Sequence, residues 1–72
     1  MGRYFFHVVG GTLPIEDDEG TRFRDTSDAV AHAEMIANEL ALDDDQYRGH
    51  TIVVVDERQQ VIARVPIIRR AN

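Results

Sequence analysis

His7, His32 and His50 are the residues from which a zinc site would have to be built, and none of their intervals matches a short metal-ligand motif. The chain has no cysteine, so a thiolate metal site, a disulfide framework and a cysteine nucleophile are all excluded. The run Glu16-Asp17-Asp18-Glu19-Gly20 invites a calcium reading, because hard cations take carboxylate oxygens and glycine allows a sharp loop. Its spacing is wrong for a calcium hand loop, however, and neighbouring carboxylates in such a run alternate in direction. Asp43-Asp44-Asp45 fails in the same way. Paired carboxylates act as acid and base only in a cleft that separates their pKa values, and nothing in the pattern predicts one. Ser27, the only serine, reads as part of a first helical turn, and no glycine-rich phosphate loop precedes that helix. The expectation is a domain that is not an enzyme and that carries no metal or cofactor.

The elements that would hold these groups are short. Arg3 to Val9 is aromatic and β-branched and stops at Gly10-Gly11, which predicts a first strand. Tyr4, Phe6 and Val8 share one face of it and Phe5, His7 and Val9 the other; the polar His7 places the first set against a helix. After the acidic loop, Thr21 to Arg24 is predicted as a short edge strand, which makes a hairpin with a long connection. Asp25 is a helix N-cap, and Asp28 puts negative charge in the first turn. The helix is predicted from Thr26 to Leu42, with Ala29, Ala33, Ile36 and Leu40 recurring on its inner stripe. Thr51 to Val55 and Val61 to Ile67 follow as strands three and four, with Pro66 at an edge or past the ladder. Residues 69–72 are expected to fray. The fold class is α+β: a ββαββ chain over 1–72 forming one antiparallel four-stranded sheet with one helix packed on one face.

An opening Arg3-Tyr4-Phe5-Phe6-His7, then Asp18-Glu19-Gly20, then Asp25 with an alanine-rich helix, and finally Val55-Asp56-Glu57 before a strand ending Val65-Pro66 occur in a fixed order. In that order and spacing the chain resembles the domain-of-unknown-function family 6894, small proteins of alphaproteobacteria. The resemblance implies a fold unit and a bacterial source, and it supplies no catalytic or binding residues. One departure is visible, since such sequences usually carry glycine in the last hairpin turn where this chain has Gln59. Either Gln59 adopts a left-handed conformation at some cost, or the turn differs.

At 72 residues the chain makes one domain, and folding buries only about 60 to 65% of the surface that the unfolded chain exposes. Thirteen acidic residues against eight arginines, with no lysine, give a formal charge of −5, which argues against general nucleic-acid binding. No apolar run reaches the ~20 residues of a membrane-spanning helix, and Tyr4 to Val9 is too short for a signal-peptide core. A cytoplasmic protein is the expectation.

The most informative feature is that Tyr4 to Val9 and Ile52 to Val55 are apolar on both faces, although a single helix covers only one. A second copy of the chain, or an unidentified protein partner, would cover the other. The expected function is therefore a self-associating interaction module, a symmetric dimer held by the helix-free sheet face or by strand-edge pairing. Its candidate anchors are Phe5, His7, Val9, Ile52, Val54 and Ile62, with Arg3 and Arg64 at the rim. On this reading assembly is required for folding, so Ile52→Lys or Val54→Lys should unfold the protein; with the opposite strand parity, Val53 and Val55 take their place. The alternative is a small-ligand or single-stranded RNA binder that stacks bases on Phe5 beside His7 and Arg64.

Overall fold

The structure is a computed structural model that describes residues 2–11, 14–43 and 47–68. Its elements run β1 (Gly2–Val9), β2 (Thr21–Phe23), α1 (Thr26–Asp43), β3 (Thr51–Val55) and β4 (Val61–Pro66). The four strands form one antiparallel sheet in the order β2-β1-β3-β4, with α1 packed across one face. The result is a two-layer slab of 35 × 27 × 16 Å. No helix among the described residues is long and apolar enough to cross a membrane. The tail 69–72 and the acidic residues Asp44 and Asp45 lie outside the described residues.

The helix begins where its cap requires. The Asp28 N–H donates to Asp25 Oδ1 at 3.0 Å and the Ser27 hydroxyl donates to the same oxygen at 2.8 Å. Those bonds, with the Asp28 N–H as the larger effect, hold the exposed Asp25 carboxyl below its ordinary pKa. Tyr4 Oη and Thr26 Oγ1 lie 3.1 Å apart and tie the first helical turn to β1. Four alanines at i, i+4 spacing, Ala29, Ala33, Ala37 and Ala41, are buried and let α1 lie close on the sheet, flanked by Ile36 and Leu40.

Register decides which strand residues meet that helix. Val8 pairs with Ile52 and Phe6 with Val54, and these two β3 residues pair in turn with Val65 and Ala63. Directly opposed residues share a face. Tyr4, Phe6 and Val8 therefore face the helix as expected, and they bring Ile52 and Val54 with them. Ile52 is 1% exposed, and Val54 and Ile67 are fully buried. The assignment of Ile52 and Val54 to the helix-free face is thus corrected. Every β3 residue from Ile52 to Val55 is apolar, so its parity is set by pairing with β1 rather than by its own pattern.

Ile62 is corrected for a different reason. The β3–β4 ladder pairs Val54 with Ala63 but Val55 with Val61, which leaves Ile62 as the extra residue of a bulge. The bulge breaks the alternation with Arg64, and Ile62 packs against the core under the helix.

The β3–β4 turn is built on Asp56, whose Oδ1 accepts from the N–H groups of Arg58 at 2.8 Å and Gln60 at 3.0 Å. Gln59 has φ 64°, so it occupies the left-handed conformation that such turns assign to glycine. A side chain there costs about 1 kcal/mol. Gln59→Gly is accordingly expected to stabilise the fold by about 0.5–1 kcal/mol, read as a higher urea midpoint with an unchanged slope. A lower midpoint would show that the Gln59 side chain contributes more than its backbone strain removes.

Candidate functional site

The face of the sheet turned away from α1 is assembled from three cross-strand rows. These are Phe5–Val55–Val61, His7–Val53–Arg64 and Val9–Thr51–Pro66, each running from β1 through β3 to the outer strand β4. Arg3, opposite Arg22, continues the β1 side of the same face. Phe5, His7, Val9 and Val53 are half-buried, Val55 is nearly closed over at 8% exposure, and Val61 and Arg64 are exposed.

The connection between β1 and β2 folds up beside this face. Residue 15 continues the ladder: Val8 and Ile15 exchange both backbone hydrogen bonds at 2.9 Å. One step along, the ladder partner is a side chain, because the Phe6 N–H donates to Asp17 Oδ2 at 3.2 Å. The other carboxylate oxygen of Asp17 accepts from Gly20 N–H at 2.9 Å and Glu19 N–H at 3.2 Å. Asp17 thus closes a turn onto Gly20 and fastens that turn to β1.

The backbone N–H of Asp17 donates to His7 Nδ1 at 3.1 Å. A ring nitrogen that accepts carries no proton, so the neutral His7 ring holds its proton on Nε2. Desolvation in the turn pushes the Asp17 carboxyl up. The hydrogen bonds from Gly20, Phe6 and Glu19 outweigh that effect and hold it below its ordinary value. Gly20 itself has φ 72°, and a Cβ there would lie 2.8 Å from Phe5 Cε2 and 2.9 Å from Arg3 Cγ. The Phe5 ring therefore rests against a loop residue that has no side chain.

Loop and sheet together enclose a groove of about 520 Å³. Its floor is Phe5, His7, Val9, Val53 and Val55; Pro14 and Glu16 to Asp18 form one wall, and Gln59 closes an end. The carboxylate of Asp17 is turned to backbone N–H groups, while Glu16 and Asp18 are exposed. The groove is apolar below and acidic along one side.

Of the seven residues expected at this face, the structure gathers Phe5, His7, Val9 and Arg64, places Ile52 and Val54 in the core, and packs Ile62 against it. Arg3 also lies at the rim, where its Nη1 donates to the Glu19 carbonyl at 2.6 Å. Val53 and Val55 take the places of Ile52 and Val54. The role of Asp17 was missed, although an Asp three residues before a Gly is a recognisable side-chain turn signal.

The histidines are separated by the sheet. His7 lies on the open face, whereas His32 on α1 stacks edge-on against Phe6 at 5.3 Å and packs on Phe23 at 5.1 Å beneath the helix. His50 packs on Tyr47, and its Nδ1 is buried without a hydrogen-bond partner among the described residues. Among the described residues, no three His, Asp or Glu side chains are grouped to hold a metal ion.

No curated protein and no solved structure matches the chain. The family model described as Domain of unknown function (DUF6894) matches residues 3–69, and the chain belongs to that family.

Proposed function

We propose that this domain is a non-enzymatic, cytoplasmic interaction module that self-associates through the helix-free sheet face. The observation that carries this reading is the apolar floor of Phe5, Val9 and Val53, which remains open after the core on the other side has closed under α1. Ile52, Val54 and Ile67 are buried within a single chain. Folding and assembly are therefore separable in this proposal, in contrast to the obligate assembly expected from the sequence.

The size of the face sets the strength of association. Three strands about 4.8 Å apart, one flanking loop and three rows about 7 Å apart span roughly 400 Å² in projection. Standard interfaces bury about 800 Å² per partner, so the expected dimer is weak, with dissociation near the micromolar range. Stacking of nucleic-acid bases on Phe5 has less support, because its ring rests against Gly20 beside the exposed Glu16 and Asp18.

The test is absolute mass by light scattering during size-exclusion chromatography over a roughly hundredfold dilution series. The native chain is expected to pass from dimer to monomer across the series, and Val53→Lys to be a folded monomer throughout. A native chain that is monomeric at every concentration overturns self-association. A Val53→Lys variant that dimerises like the native chain moves the contact away from this face, to a strand edge.

A further inference from the structure

Resting on that docking face, we propose that the two copies pair about a two-fold axis parallel to the strands, so that each Arg64 lies over the acidic loop of the partner. The row through the middle of the face runs from the Asp17 backbone to His7, Val53 and Arg64. Charge changes sign along it. Glu16 and Asp18 stand at the β1 side, and Arg64 lies two strands away on β4, roughly 10 Å from His7. All three charged side chains are exposed.

A symmetric dimer that stacks two such faces has two simple choices of axis in the plane of contact. An axis perpendicular to the strands leaves the β1 side over the partner's β1 side, which sets acidic wall on acidic wall and arginine on arginine. An axis parallel to the strands exchanges the two sides. The partner's Arg64 then meets Glu16 and Asp18, and the contact is repeated by symmetry. Like-charge juxtaposition is what excludes wrong registers at interfaces, so the first arrangement is disfavoured and the second is selected.

Shape favours the same axis. The loop 14–18 forms a wall on one side of the groove, while on the other side the face continues onto the sheet's outer strand with the exposed Val61 and Arg64. Turned about the parallel axis, the wall of one copy sits over the shallow side of the other. About the perpendicular axis, wall meets wall. Three other charged groups belong to the face, and Arg22, opposite Arg3, lies beyond the Phe5 row and away from the middle one. The Asp17 carboxylate is occupied by the N–H groups of Phe6, Glu19 and Gly20, and the Arg3 guanidinium is held at the Glu19 carbonyl. None of the three competes for the middle row.

The experiment is a charge reversal read by the same dilution series, with circular dichroism to verify that each variant is folded. Arg64→Glu alone, and Glu16→Arg with Asp18→Arg, are each expected to weaken the dimer by ~10-fold or more at about 50 mM salt. The chain carrying all three substitutions should recover native affinity, because its reversed charges again face opposite partners. Reversals that leave the dissociation constant unchanged, while Val53→Lys still abolishes the dimer, overturn the axis and leave the docking face standing. Loss of affinity in the single reversals without recovery in the triple variant also overturns it. If Val53→Lys itself does not change the mass, the docking face fails and this pairing fails with it.

Discussion

Ile52→Lys is expected to leave the chain without a cooperative unfolding transition, whereas Val53→Lys, one residue further on, should unfold as cooperatively as the native protein. The contrast follows from register. Ile52 is 1% exposed beneath α1, between Val8 on β1 and Val65 on β4, so its replacement forces an ammonium group into a space with no partner. A 72-residue domain has a total stability of roughly 4–11 kcal/mol, and burying an unpaired charge consumes most or all of that. Val53 lies opposite His7 and Arg64 on the open face, where a lysine extends into solvent. Urea denaturation followed by circular dichroism checks both. A well-folded Ile52→Lys protein, or an unfolded Val53→Lys protein, would mean that the β1–β3 register is shifted by one residue.

Asp17→Ala is expected to lower stability by about 1–3 kcal/mol, a large effect for a loop residue. Its carboxylate is the acceptor for the N–H groups of Phe6, Glu19 and Gly20, and alanine leaves all three without it. These donors lie near solvent, and water replaces part of the loss. The wall of the groove should loosen with the turn, so self-association should weaken as well.

The pH dependence has a definite sign. The folded Asp17 carboxyl is held below its ordinary value, and in the unfolded chain it returns to about 3.9. Its contribution is therefore complete above about pH 5. It declines as the unfolded carboxyl begins to bind protons, and disappears as pH falls through the lower folded value. The difference in urea midpoint between native and Asp17→Ala proteins should be constant from about pH 7 to 5 and shrink below about pH 4. A gap that persists at low pH would show that the loop is held by something other than this carboxylate.

Much of the fold was legible along the chain because its signals are local. The aromatic and β-branched run before Gly10, the Asp25 cap and the i, i+4 alanines each act on residues within one or two turns or strand steps. They lead to β1 over Gly2–Val9, α1 over Thr26–Asp43 and β3 over Thr51–Val55, close to the predicted limits. His7 marked the outward side of β1, and Tyr4, Phe6 and Val8 do face the helix. The left-handed Gln59 was also foreshadowed, as a residue standing where related sequences usually carry glycine.

The candidate site was legible only in part. Phe5, His7, Val9 and Arg64 could be placed because a polar residue marks the parity of their strands. Ile52 to Val55 carry no such mark. Two assignments that differ by one residue each bury a β-branched apolar pair, and the choice is made by hydrogen bonds to β1, more than forty positions away in the chain. Ile62 depended on a bulge, which changes parity without changing composition. Asp17 depended on Phe6 presenting an N–H at the sheet margin, a donor that exists only once β1 is extended beside the loop. Element type and order rest on short-range propensity and are written residue by residue; which apolar side is covered and which stays open is a property of the assembled sheet, because only cross-strand pairing distinguishes the two.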